Sequence, residues 1–447
     1  MATVLPFNGI LYNQEIIGDL SAVVTPPYDV ISPEEQIQFY ERHPNNVVRL
    51  DFGKKTADDD DEKNNVNTRA AGFFKDWIAQ GILQRDSEPS LYLTTVAFQL
   101  GDCLITRYGM IALVGLEPFE KRIVLPHEKT FSKVKSERFD LIKACHANFS
   151  QIFSLYSDQE GILDLLKEAA LDSKPLFDIL DDKKDRHKMW RITEPAVHSK
   201  VQKLMEDKRL FIADGHHRYE TALNYRAWRS KNDPDFTDNH PANYVMMYLC
   251  SMEDPGLVIL PAHRMLHDVD SQIIKILPSK LEQYFEITRI PFAGKEQSTV
   301  RKILIDMLGA HESGNALGAY IKGSDAFLYL SLKQGVMETT FGHTIPESLR
   351  HLDVTVLTRL VLMEILGFDG NRLDNEHLIS YTSSAEKAID TVASGKCDMC
   401  FILNPTKIDQ VRQIAEEGQI MPRKTTYFYP KALTGQVLNQ LDRSDAG

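Results

Sequence analysis

Cysteine is scarce, with five residues in 447, at positions 103, 145, 250, 397 and 400. So thin and odd a set builds no disulfide framework, which fits a reducing compartment. No run approaches the roughly 18 to 20 uncharged apolar residues that a membrane-spanning helix needs. The first residues, Met1-Ala2-Thr3-Val4-Leu5-Pro6-Phe7, carry neither the basic nor the apolar region of a secretory signal. A cytoplasmic protein without a membrane partner is therefore expected. Positive charge is also in deficit: 51 Lys and Arg stand against 63 Asp and Glu, a formal charge of −12. That balance weighs against a nucleic-acid partner, because counterion release requires a basic face. It leaves room for a small anionic ligand, on which a few placed cations and a helix N-terminus act locally.

Other absences narrow the field further. The glycines form neither a Walker loop nor a dinucleotide fingerprint, so those two routes to a nucleotide are missing. No internal repeat is visible. One biased tract spans 54–65 and contains Asp58, Asp59, Asp60, Asp61 and Glu62. Contiguous acids repel one another and lack the alternation of a calcium loop, so a solvated loop is expected. Cys397 and Cys400 have no second pair to complete a zinc site and are expected in packing. No metal ligand is assigned.

What is present describes an ordinary globular chain, 43% hydrophobic and 26% charged, with length for two or three domains. Alternating apolar character predicts strands at 47–52, 90–100, 107–116, 243–251, 257–263, 317–321, 326–332 and 399–403. Three-to-four-residue spacing predicts helices at 70–82, 162–171, 196–207, 298–308, 352–366 and 408–417. Strands and helices interleave, which gives an α+β (mixed α/β) class. A return to charged, helix-rich sequence sets the expected division into 1–268 and 269–447, the second part also α+β.

The sharpest local signal begins at Leu210-Phe211-Ile212-Ala213, an apolar run of the kind that forms a buried strand. It ends at Asp214-Gly215, and from His217 onward Tyr219, Ala222, Leu223 and Ala227 recur at helical spacing. Two histidines and Arg218 thus fall in the first turn of a helix that leaves a strand through a glycine. A helix start presents unpaired backbone N–H groups and the positive end of its dipole. Gly215 admits a close ligand, and Arg218 offers paired N–H donors to phosphate oxygens. Asp214 is placed to cap the helix or act as a base, while His216 and His217 are placed to steady phosphate or carry protons. Adjacent helical histidines point about 100° apart and rarely share one ion, which makes zinc the weaker reading.

Three further stretches carry chemistry. His127-Glu128-Lys129-Thr130 supplies two candidate bases and a cation, with Lys133, Lys135 and Arg138 following. Pro26-Pro27-Tyr28-Asp29-Val30-Ile31-Ser32-Pro33-Glu34-Glu35 reads as a rigid lead into a helix, with Ser32 as cap and Glu35 completing a capping box. Lys424 and Lys431 flank an aromatic strand end at Tyr427-Phe428-Tyr429 and suit a substrate carboxylate or phosphate.

The run Phe211-Ile212-Ala213-Asp214-Gly215-His216-His217-Arg218-Tyr219-Glu220 closely resembles the signature of domain-of-unknown-function family 1015. The segments 26–32, 125–130, 148–153 and 421–431 resemble the same family, so the likeness runs nearly end to end. More distantly, the Asp-Gly-His-His-Arg turn is similar to the phosphate-binding box of the ParB/sulfiredoxin-like superfamily, which includes free-serine kinases. The resemblance implies a ParB/sulfiredoxin-like core with a second α+β domain. It implies phosphoryl transfer on serine or phosphoserine, tied to serine biosynthesis, with ATP or ADP and Mg²⁺. In that reading Asp214, His216, His217, Glu128 and His127 do the chemistry, and Gly215, Arg218, Lys129, Lys424 and Lys431 hold the phosphorylated ligand. Two rivals remain: a nucleotide-binding regulatory or DNA-associated module, and a metal-dependent hydrolase built on the histidines.

Overall fold

The computed structural model describes residues 1–60, 63–130, 132–292, 294, 296–311 and 314–442, with backbone alone at 132 and 133. Asp61, Glu62 and the side chain of Lys133 therefore lie outside the described residues. The chain forms two compact units, Met1–Val258 with Phe428–Gly447, and Ile259–Tyr427. The expected boundary near 268 gives way to this division, in which the last segment belongs to the first unit.

The first unit is built on a nine-stranded sheet. Its strands are β1 (Val4–Leu5), β2 (Leu91–Leu100), β3 (Cys103–Gly115), β4 (Val124–Leu125), β5 (Ile152–Tyr156), β6 (Phe177–Leu180), β7 (Arg186–Ile192), β8 (Leu210–Asp214) and β9 (Tyr244–Ser251). Their order is β4-β8-β5-β9-β3-β2-β7-β6, with β1 beside β3. The expected hairpin is the β2–β3 pair, in which Tyr92 faces Ile111 and Leu100 faces Cys103. Gly101 turns it at φ 56°, a left-handed conformation that glycine adopts without penalty.

Among the described residues six helices of eight residues or more accompany this sheet, and the last three press their apolar faces on it. They are α1 (Pro33–Arg42), α2 (Val66–Ala79), α3 (Ser132–Cys145), α4 (Ile162–Ala170), α5 (Pro195–Met205) and α6 (His216–Asn232). Ile162 and Leu166 of α4, Val201 and Met205 of α5, and Tyr219 and Ala222 of α6 share one core with Ile152, Ile212 and Met247. Each such side chain removed from water contributes roughly 1.5–3 kcal/mol. Ser32 caps α1 in the expected capping box with Glu35.

Residues 47–52 depart from expectation. They hold a short helix, Val48–Asp51, rather than a strand. The Asn46 side chain accepts from the Val48 N–H at 2.9 Å and so starts a helical turn. Val47, Val48, Leu50 and Asp51 are all buried, so the apolar pattern reports burial on several sides and not a pleat.

The second unit holds an antiparallel sheet of β10 (His263–Leu266), β11 (Phe285–Pro291), β12 (Ala316–Ile321), β13 (Ala326–Leu332), β14 (Ile379–Thr382) and β15 (Met399–Leu403). Its order is β11-β13-β12-β15-β10-β14. Val300 and Leu304 of one helix (Gln297–Gly309) and Ala388 and Ile389 of another (Ala385–Ala393) form a core with Phe327 and Cys400. The helix expected at 352–366 is a short α-turn, Asp353–Thr355, continued by a π-helix, Val356–Ile365. Interleaved strands and helices make the class α+β. Among the described residues no helix is long and apolar enough to cross a membrane.

Candidate active site at the end of strand β8

Strand β8 is buried along Leu210, Phe211, Ile212 and Ala213, and delivers Asp214 to the edge of the core. Gly215 follows at φ 93° and ψ 27°, and α6 begins at His216 with no side chain capping it. The helix start thus keeps its orphan N–H groups and positive dipole end. Substituting Gly215 is costly on two counts. A side chain there would sit in left-handed backbone, and its Cβ would lie 2.8 Å from Arg218 Nε. Gly215→Ala is expected to destabilise the first unit by about 1–3 kcal/mol, read from the urea midpoint.

The sheet's topology decides what surrounds this turn. Strand β4 runs parallel to β8, with Val124 beside Leu210 and Leu125 beside Phe211. Both chains leave at the same end, so His127 meets His216. The His127 N–H donates to His216 Nε2 at 3.3 Å, and the two rings meet edge to face with centroids 4.8 Å apart. Strand β5 is antiparallel to β8, so its beginning lies where β8 ends. There the Gln151 carbonyl accepts from Arg218 Nη1 at 2.5 Å.

Asp214 is the hub. Its Oδ2 accepts from Arg218 Nη2 at 2.6 Å and its Oδ1 from Lys431 Nζ at 2.5 Å. Burial pushes this carboxyl up, but Lys431 and Arg218 outweigh burial and hold it well below the usual carboxylate range. Burial lowers both central imidazoles: His127 falls to about 4, and His216 is held well below its ordinary value. Each is neutral at pH 7. Since His216 Nε2 accepts a hydrogen bond, the neutral ring carries its proton on Nδ1, which lies 3.8 Å from Glu128 Oε2.

The remaining predicted residues distribute unevenly. His217 is half-buried, with burial the main influence lowering it and Glu220 and Asp29 opposing. Glu128 is half-buried and Lys129 exposed, both just beyond β4. Lys424 belongs to the second unit, where it is exposed and its carbonyl accepts from Arg264 at 2.9 Å. Arg218 was expected to face a ligand, yet its two terminal nitrogens hold Asp214 and Gln151. Lys135 bonds Glu220 at 2.6 Å, and Thr130 bonds the other oxygen of Glu220 at 2.7 Å. Arg138 pairs with Asp51 and lies 4.2 Å over the Tyr28 ring, which places the 26–32 segment near Arg218. Gln151 and Glu220 were not singled out from the sequence. Both sit inside motif runs, but a backbone acceptor and a loop-clamping acid carry no pattern of their own.

The family described as "Protein of unknown function (DUF1015)" matches residues 4–355. The chain belongs to the DUF1015 family. No curated protein matches it. Among solved structures, a free serine kinase variant in complex with AMP aligns at 12% identity over 71% of this chain and 87% of that one, with a TM-score of 0.34. A conserved hypothetical protein from Pyrococcus furiosus aligns at 10% identity, over 74% and 94%, with a TM-score of 0.35. SbnI from Staphylococcus aureus, truncated at its C-terminus, aligns at 11%, over 73% and 86%, with a TM-score of 0.34. In this DUF1015 chain the segments 26–32, 125–130, 148–153 and 211–220, together with Lys431, converge in the first unit around one helix start.

Proposed function

We propose that the first unit is a phosphoryl-transfer enzyme with a ParB/sulfiredoxin-like core, acting on serine or phosphoserine with ATP or ADP. One observation carries this reading. At the foot of an uncapped helix two nearly buried cations, Lys431 and Arg218, both bond the carboxylate of Asp214. The two cations and the positive end of the helix dipole face the same poorly solvated place, which favours a phosphate group there. Gly215 leaves the approach open because it has no side chain.

The nucleotide, when bound, supplies or accepts the phosphoryl group. The chain's own residues position and deprotonate. The backbone N–H groups at His216 and His217, with Lys431, would hold phosphate oxygens, and Lys129 would add charge from the rim. Asp214 is a poor base, being doubly paired and held ionised, so its role is to anchor the two cations. Glu128 is the better base, with neutral His216 directing an N–H toward it and His127 fixing the orientation of His216. In the forward direction the serine hydroxyl oxygen bonds to phosphorus and its proton passes to Glu128. The bond from phosphorus to the nucleotide's bridging oxygen breaks. With water as acceptor the same site would dephosphorylate phosphoserine.

Among the described residues no three His, Cys, Asp or Glu side chains group to hold a metal ion. A magnesium ion would therefore rest largely on phosphate oxygens.

Phosphorus NMR tests the reading, with L-serine plus ATP or ADP, and phosphoserine with and without ADP, all with magnesium. Turnover by wild type is expected in one mixture, with a loss of about 10²–10⁴-fold in Glu128→Gln. No turnover in any mixture, with nucleotide still bound, would favour a binding module instead.

A further inference from the structure

The second unit carries an open-mouthed cavity of about 450 Å³, in the range of small-molecule sites. Its wall is largely apolar, with Ile345, Leu349, Leu362, Met363, Leu373 and Ile420 facing it. Two polar groups do not fit an apolar void. Arg264 lines the cavity and is 2% exposed. Its terminal nitrogens bond the carbonyls of Ala262, Arg423 at 3.2 Å and Lys424 at 2.9 Å, and the guanidinium lies 5.5 Å from the centre of the Tyr381 ring. It makes no ion pair with any described carboxylate. Burial lowers its guanidinium to about 10, so it stays charged at neutral pH. Three carbonyls leave two of its five N–H donors unused, and a buried cation without a counterion is strongly unfavourable.

Thr355 is the second group. It lines the same wall, is 2% exposed, and its hydroxyl has no hydrogen-bond partner. It immediately precedes the π-helix, whose wide winding brings the Leu366 N–H to the Val361 carbonyl at 2.9 Å. Such segments are rare and concentrate at functional sites. Arg359 stands one turn further along the same wall and makes no ion pair among the described residues. Of the other charged lining groups, Arg423 is paired with Glu376 at 2.6 Å, and Asp374 is the one acid.

We infer that the second unit binds a small organic monocarboxylate, its apolar body in the cavity and its carboxylate on Arg264 and the Thr355 hydroxyl. The buried guanidinium and the hydroxyl suit one carboxylate, Arg359 adds positive charge further along the wall, and the apolar lining favours a hydrocarbon body over a bare phosphate. This site is separate from the phosphoryl-transfer reading and does not depend on it.

Calorimetric titration of the full chain decides the matter, with octanoate and 3-phenylpropionate, their methyl esters, and inorganic phosphate as probes. At least one acid is expected to bind one per chain at millimolar concentration or below, its ester at least about tenfold more weakly. Arg264→Gln should abolish binding, but it also removes three structural hydrogen bonds. Thr355→Val avoids that problem, since its hydroxyl holds nothing in place. It should keep the unfolding temperature and weaken the acid about tenfold. Met363→Trp should fill the cavity and block binding. Silence from both acids, equal binding of the esters, or indifference to Thr355→Val and Met363→Trp would overturn the inference.

Discussion

Asp214→Ala is expected to lower the unfolding free energy of the first unit by about 3–5 kcal/mol. The wild-type carboxylate takes one short hydrogen bond from Arg218 and one from Lys431. All three side chains are nearly buried, at 14% exposure for Asp214, 10% for Arg218 and 12% for Lys431. Removing the acid leaves two like charges facing each other with little water to screen them. The double variant Asp214→Ala with Lys431→Met should recover part of the loss, because it deletes one of the stranded cations. Urea unfolding of wild type, Asp214→Ala, Lys431→Met and the double variant gives the coupling directly. A single-variant loss under about 1 kcal/mol would mean that water reaches the cluster and the charges pay little for burial.

Acidification should be the second large effect. His127 is fully buried and burial pushes its imidazole down to about 4, against about 6.5 in an unfolded chain. Between those values the unfolded chain takes up a proton that the folded chain refuses, so stability falls as pH falls. His127 alone should cost about 3 kcal/mol across that window, and His216, lowered in the same direction, adds to it. Asp214 acts elsewhere. Its depressed folded value gives stability that is complete above about pH 4 and is lost only below it. Urea midpoints measured from about pH 7 to about pH 4 should therefore slope downward in wild type and flatten in His127→Asn, which cannot titrate. An equal slope in both chains would remove His127 as the source.

Much of this architecture was legible in the residues. The apolar run Leu210–Ala213, the glycine after Asp214 and the helical spacing from Tyr219 led to strand, turn and helix as found. The β2–β3 hairpin and the Ser32 capping box were equally plain, because turn and cap chemistry are local. What depended on pairing was not. The contact of His127 with His216 follows from β4 lying parallel to β8, and Arg218 finds Gln151 because β5 is antiparallel to it. No spacing along the chain encodes either neighbour. Lys424 and Lys431 looked alike, seven residues apart, yet the chain passes from one unit to the other between Tyr427 and Phe428. Residues 47–52 misled for another reason: a helix buried on several sides imitates a strand's apolar pattern. The interior of the second unit was also hidden, since an unpartnered Arg264 or Thr355 exists only once the walls around it are built.

A crystal structure of the full chain with ADP and magnesium would show directly whether the Asp214–Arg218 turn seats a nucleotide. Phosphate oxygens are expected on the backbone N–H groups at His216 and His217, within reach of Lys431, with the Glu128 carboxylate on the acceptor side. A nucleotide seated away from the Asp214–Arg218 turn, or a turn unchanged at saturating ADP, would contradict that placement.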